Sequence, residues 1–266
     1  MQLQQAEQRF KDQGIGLAAV SYDSEAILKD FAERQRVTFP LLADPQAEII
    51  SRYNVLNAEA KGMTKGMAHP GFVYIDPGGK VKETFFEAAF TNRYTPNNLI
   101  TKLFPELTEQ AERNIDAPHI SLKLQQSDRI GVPGSRVTLI AELTLGRGLH
   151  VYAPGVKGYV PIELDLDPTP DLKPAQSVYP KERVLFLPAI KERVPVFEGR
   201  FRITQDVTLS VDRPLVTSKL ISIKGTLKYQ ACDNKVCYVP TSVPVSWEIQ
   251  VIPLNTQRSP EQIRHH

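Results

Sequence analysis

The chain has 266 residues, enough for two ordinary domains. Hydrophobic residues make up 41% and charged residues 23%, and the formal charge is +2 with no block of lysine and arginine, which argues against a nucleic-acid partner. No apolar run reaches the roughly 20 residues needed to cross a bilayer, and the polar opening MQLQQAEQRFKDQG shows no signal-peptide pattern.

Residues 1 to 107 read as alternating helix and strand. Leu3, Ala6 and Phe10 fall at helical spacing, with Gly14 as a stop. IGLAAVSYD is a short apolar run, suited to a strand buried on both faces. SEAILKDFAERQ repeats the helical period through Ile27, Leu28 and Phe31, with Ser24 as its N-cap. DPQAEIISRYNV predicts a third helix. GFVYIDPGGKVKETFF predicts strand, turn and strand, with Pro77-Gly78-Gly79 at the turn. TPNNLITKLF predicts a last helix with Pro96 in its first turn.

The remainder has period 2. ISLKL, VTLIAELTL, IELDLD, FRITQDVTLSVD, ISIKGTLKYQA and VPVSWEIQVI alternate apolar and polar residues, and their separators are rich in proline and glycine. Short strands with such turns predict an all-β sandwich over residues 118–253, with Trp247 in its core. The boundary is expected in the polar stretch between 105 and 118, and residues 254–266 read as a flexible tail. The fold class is therefore α+β, in two domains.

Both cysteines lie in YQACDNKVCYVP, and the Asp-Asn-Lys between them supplies turn chemistry. Cys232 and Cys237 would face each other across a hairpin, where a disulfide forms if the Cα atoms come within about 7 Å. As a staple, a ring of about six residues stabilises by roughly 2 kcal/mol, against about 4.7 for a 100-residue loop. Zinc would need two further ligands. The five histidines are His69, His119, His150, His265 and His266, and only the last two are adjacent. A short loop-borne disulfide is also the reducible kind. Lys235 and Lys228 favour a thiolate and Asp233 opposes it. The residues alone leave staple and redox centre open.

The run GLAAVSYDSEAILKDFAERQRVTFPLLADPQAEIISRYNV, followed by AHPGFVYIDPGGKV, resembles the AhpC/TSA redoxin family over residues 1 to about 104. The resemblance implies a thioredoxin-like fold and makes Pro70 the cis-proline candidate before a core strand. That family carries its reactive cysteine at the start of a helix inside which this sequence begins, so the expectation is an incomplete domain, a fragment of a longer chain or a late start. Peroxidase chemistry is not expected from it. Tyr22, Asp23 and His69 read as fold residues. The absent strand is central in that fold, so its neighbours should lack ladder partners.

KGTLKYQACDNKVCYVP resembles the cysteine motif of the N-terminal domain of the thiol:disulfide interchange protein DsbD family. GLHVYAPGVKGYVPIELDL and YPKERVLFLPAI with VPVFEGRFRI extend the resemblance from about 118 to 252. It implies an immunoglobulin-like sandwich in the periplasm, with Cys232 and Cys237 as the exchanging pair and Cys237 as the residue that forms the mixed disulfide. Tyr152 and His150 match aromatic positions near that pair, while Tyr229 and Tyr238 flank it and read equally as packing residues. Phe197 falls where the family has a loop capping the disulfide. The acidic residues of that loop are not matched, because Val194 and Pro195 stand there with Glu192 and Glu198 outside.

The expected chemistry is thiol-disulfide exchange with thioredoxin-like proteins, and with a DsbD-type membrane electron donor. No cofactor beyond the redox-active disulfide is implied, and no metal. The alternative is a docking module without turnover, in which the disulfide is structural.

Overall fold

The computed structural model describes residues 2–89, 91–108, 113–187, 191–210, 215–257 and 260–263. The chain divides into two units, one of residues 1–100 with 254–266 and one of residues 101–253. The division falls inside a helix rather than in the polar stretch after it, part of which (109–112) lies outside the described residues, as do His265 and His266 of the tail.

The first unit opens with α1 (Gln2–Lys11), which buries Ala6, Glu7 and Phe10. The Glu7 carboxylate pairs with Lys11 Nζ at 2.7 Å and accepts hydrogen bonds from the Thr38 hydroxyl and, at 2.6 Å, from Gln4 Nε2. Those partners, Lys11 first, hold its pKa down at about 2. Helix α2 (Glu25–Gln35) is capped by Ser24, whose side chain accepts the Ile27 N–H, and ends at Arg36 in the left-handed region. Helix α3 (Glu48–Arg52) is shorter than the sequence pattern, because Asn54 adopts a positive φ two residues past its end. The Asp44 carboxylate starts it, accepting the N–H groups of Glu48 and Ile50.

Strand β1 (Ala19–Ser21) pairs in parallel with β2 (Leu41–Ala43), and β3 (Gly71–Ile75) pairs antiparallel with β4 (Val81–Phe86). The turn of the second pair is closed by Asp76, which accepts the N–H of Lys80 with its side chain and that of Gly79 with its carbonyl. Among the described residues these two ladders are not joined. A strand buried on both faces is therefore not what IGLAAVSYD forms. It makes three residues of ladder on one edge, and Val20 stays 40% exposed. Strand β5 (Arg93–Tyr94) precedes α4 (Pro96–Leu103), which starts at Pro96 with the Thr95 hydroxyl accepting the Asn98 N–H at 3.0 Å.

The second unit carries β6 (Arg113–Ala117), β7 (Ile120–Gln126), β8 (Ile130–Gly131), β9 (Ser135–Leu145), β10 (His150–Tyr152), β11 (Glu163–Leu166) and β12 (Leu172–Val178). It continues with β13 (Arg183–Leu187), β14 (Glu192–Glu198), β15 (Arg200–Leu209), β16 (Lys219–Tyr229), β17 (Ala231–Cys232) and β18 (Thr241–Val251). One sheet runs β12–β15–β9–β7–β6 and a second runs β11–β16–β18–β8. Their inward residues alternate with outward ones, as period 2 requires. Leu122, Leu139, Ile203 and Val207 come from the first sheet and Ile223, Leu227, Trp247 and Ile249 from the second, and all are buried in one cluster. Trp247 Nε1 donates to the Gln125 carbonyl at 2.9 Å, so its polar edge is satisfied inside that core. Gly225 is required where β11 crosses close to β16, since a Cβ there would stand 2.4 Å from the Asp165 carbonyl oxygen. A third ladder, β13–β14–β10–β17, carries the cysteines.

Candidate redox site

Strand β17 pairs antiparallel with β10, setting His150 opposite Cys232 and Val151 opposite Ala231. On its other side β10 pairs with β14, setting His150 opposite Glu198, Val151 opposite Phe197 and Tyr152 opposite Val196. Side chains opposite each other share a face. One face, with Val151, Phe197 and Ala231, enters the main core. The other gathers Tyr152, Leu187, Val194, Val196 and Cys232 into a second, smaller cluster. His150 and Glu198 hold register positions on that second face.

The turn after β17 is organised by Asp233. Its N–H donates to the Val236 carbonyl at 2.9 Å, and its Oδ1 accepts the N–H groups of Lys235 and Val236 at 2.7 Å each. Its Oδ2 accepts the Tyr238 hydroxyl at 3.1 Å. The two backbone N–H groups hold the Asp233 carboxyl below its ordinary range, and the same hydrogen bond raises the Tyr238 phenol. The Tyr238 N–H then returns to the Ala231 carbonyl. The strand ends therefore meet, and Cys232 and Cys237 form a disulfide with Cα atoms 4.0 Å apart.

The two cysteines have different surroundings. Cys232 is 0% exposed, whereas Cys237 is exposed to solvent. The buried Tyr152 hydroxyl lies 3.5 Å from Cys237 Sγ, and since a disulfide sulfur has no hydrogen, the hydroxyl is the donor. The Tyr152 ring lies 4.2 Å from that of Tyr159, whose hydroxyl donates to Glu192 Oε2 at 2.7 Å and is thereby pushed up to about 12. Burial, and then the Glu192 charge, raises Tyr152 as well. The His150 ring meets Tyr152 edge-on at 5.5 Å. Burial lowers the His150 pKa, with Glu198 and Asp233 opposing that shift.

Of the residues picked from sequence, Cys232, Cys237, Tyr152 and His150 come together. Tyr238 anchors the turn through Asp233 and stacks on His119 at 3.9 Å. Tyr229 does not reach the pair: it is buried in the main core and its hydroxyl donates to the Pro118 carbonyl at 2.6 Å. Phe197 is not on a capping loop. It sits inside β14 on the face opposite the disulfide, where it packs on Phe201 and Tyr179. Alternation gives the physical reason, since its neighbour Val196 takes the disulfide face. Lys228 is engaged by Asp165 at 3.0 Å. In the first unit Pro70 directly precedes β3, and its carbonyl accepts the Glu87 N–H. Tyr159 and the role of Glu192 escaped the sequence. Tyr159 lies in a loop with no period to place it, and Glu192 acts only through Tyr159. Among the described residues no group of three or more His, Cys, Asp or Glu side chains could hold a metal ion, and no helix is long and apolar enough to cross a membrane.

A β-sandwich with a disulfide closing a short turn, one cysteine buried and one exposed, defines a class of disulfide-bearing β domain. Residues 121–246 match the family model of the thiol:disulfide interchange protein DsbD, N-terminal, and residues 1–84 match that of the AhpC/TSA family. The second unit thus resembles that immunoglobulin-like domain, and the first is a thioredoxin-like segment. Among solved structures, the N-terminal periplasmic domain of ScsB from Proteus mirabilis aligns at 16% identity and a TM-score of 0.35, over 58% of this chain and 55% of that one. The Neisseria meningitidis DsbD N-terminal domain in its reduced form aligns at 18% identity and a TM-score of 0.30, over 44% of this chain and 82% of that one. The chain spans about half the length of the first of these structures. No curated protein matches the chain.

Proposed function

We propose that the second unit carries electrons between partner proteins by thiol-disulfide exchange through Cys232 and Cys237. The observation that carries this reading is the asymmetry of the two cysteines, Cys237 exposed and Cys232 0% exposed. A partner reaches Cys237 and not Cys232. Starting from the dithiol, the Cys237 thiolate attacks one sulfur of a partner disulfide. The Cys237–partner S–S bond forms, the partner's own S–S bond breaks, and its second sulfur leaves with the electron pair and takes up a proton. Cys232 then gives up its proton and attacks Cys237 Sγ, forming the intramolecular disulfide and releasing the partner's remaining sulfur as a thiolate, which is protonated in turn. Two electrons and two protons have moved to the partner, and the reverse sequence recharges the dithiol.

Thioredoxin-like proteins are the partners that fit, with a DsbD-type membrane donor supplying electrons. The match of residues 121–246 to the DsbD N-terminal family supports this choice. Val236 and Val239 are exposed on either side of Cys237, which gives such a partner an apolar surface to meet. The disulfide is itself the redox group, so the chemistry requires no dissociable cofactor. A periplasmic or other extracytoplasmic compartment suits a protein whose working state includes a disulfide.

The test is trapping. Reduced Cys232→Ser protein, offered a disulfide-bonded thioredoxin-like protein, should accumulate the mixed disulfide at Cys237, and Cys237→Ser should accumulate none. Loss of β-sheet circular dichroism in both variants, with no adduct in either, would mark the disulfide as a structural staple.

A further inference from the structure

The exchange sequence leaves one proton unaccounted for. Cys232 must become a thiolate before it can resolve the mixed disulfide, and at 0% exposure it gives its proton to water only slowly. A base within the protein would speed that step.

We propose that His150 accepts that proton at Nε2, a role that rests on the exchange reading above. His150 and Cys232 are direct cross-strand partners on one face of the β10–β17 ladder, which sets their Cβ atoms about 5 Å apart. His150 is 1% exposed, and its Nε2 is buried without a hydrogen-bond partner. An orphaned buried nitrogen is costly unless some state of the molecule supplies its partner. The dithiol state offers one, because Cys232, its register partner on the same face, then carries an S–H.

The other titratable groups facing His150 are already committed. From β14, Glu198 is paired with Arg183 at 2.9 Å. From the turn after β17, Asp233 accepts three hydrogen bonds. From β10 itself, Tyr152 has its phenol raised, so it remains a hydroxyl and donates. Glu192 is occupied by Tyr159. Burial keeps His150 neutral, the form in which one ring nitrogen is an acceptor. The charges of Glu198 and Asp233 favour the imidazolium that forms as the thiol ionises. As the disulfide closes and Cys232 ceases to be a proton donor, the imidazolium releases its proton to the partner's departing thiolate.

The two steps separate with 5,5′-dithiobis(2-nitrobenzoate). One equivalent, added to the fully reduced chain, releases a first thionitrobenzoate as Cys237 is capped and a second as Cys232 resolves the mixed disulfide. With His150→Gln the second release should slow about 10²-fold, the range of general-base contributions, while the first stays within about twofold. In the wild-type chain the second rate should be flat from about pH 6.5 to 8, because His150 is neutral, and so able to accept the proton, throughout that range. In His150→Gln it should instead rise about tenfold per pH unit over that range, as a free thiol requires. A folded His150→Gln with an unchanged second release and an unchanged pH profile overturns the assignment. Should that variant not fold, the wild-type profile decides alone: a unit slope through pH 8 overturns it. Absence of either release from the wild-type chain overturns the exchange reading itself, a result distinct from both.

Discussion

The two units bury their apolar residues differently. In the second unit the inward residues of β7, β9, β15, β16 and β18 fuse into one cluster in which Leu122, Leu139, Ile203 and Ile249 are fully enclosed. In the first unit α2 buries no residue fully, β1 with β2 and β3 with β4 form two separate pairs, and Val20 and Leu42 on the parallel pair remain exposed. The comparison teaches where a redox site can be held. The proposed exchange would have the disulfide open and close repeatedly, which needs surroundings that stay fixed when it opens. The β10–β14–β17 ladder has such a base, since its other face, with Val151, Phe197 and Ala231, belongs to the large core.

The largest effect that sharpens this contrast is a cavity. Leu139→Ala should cost the second unit about 2–5 kcal/mol, read by denaturant unfolding followed at Trp247, because the site is fully enclosed. Val20→Ala in the first unit should cost under about 1.5 kcal/mol, well below Leu139→Ala, since that residue is 40% exposed. Equal costs at the two positions would break the comparison. A smaller and local effect is expected at the turn. Asp233→Ala removes the acceptor of two backbone N–H groups, and hydrogen exchange at Lys235 and Val236 should quicken roughly tenfold while β9 and β15 are unaffected. The smallest effect is acid sensitivity of the first unit. Glu7 has a folded pKa of about 2 against an ordinary 4.5, so its contribution is complete above 4.5 and is lost as pH falls toward 2. Glu7→Gln should therefore flatten the loss of α1 helicity over that interval, and an unchanged acid transition would remove Glu7 from the account.

Much of the sandwich was legible because period 2 and burial coincide. Every alternating run from ISLKL to VPVSWEIQVI forms a strand through most of its described residues, and Trp247 goes inside. The cysteine turn was legible through Asp233, a residue suited to accepting the N–H groups just ahead of it. What was not legible was which face of β10 and β14 the pair would occupy. Phe197 and Val196 are neighbours of equal apolar character, and only the register against β10 decides which of them meets Cys232. Tyr229 shows the same effect at the end of β16, three residues before Cys232 yet in the other core. Tyr159 was missed for a different reason. It reaches Tyr152 by a loop rather than by a ladder, and loop contacts leave no periodic trace.

The central claim is that the Cys232–Cys237 disulfide exchanges with partners, and its reduction potential tests that most directly. Alkylation and mass spectrometry of the two cysteines across a series of thiol/disulfide buffers would give the midpoint. The exchange account expects a value above about −250 mV, within the span of known exchange proteins. A midpoint below about −300 mV would be that of a structural disulfide, and the second unit would then be a docking module rather than an electron carrier.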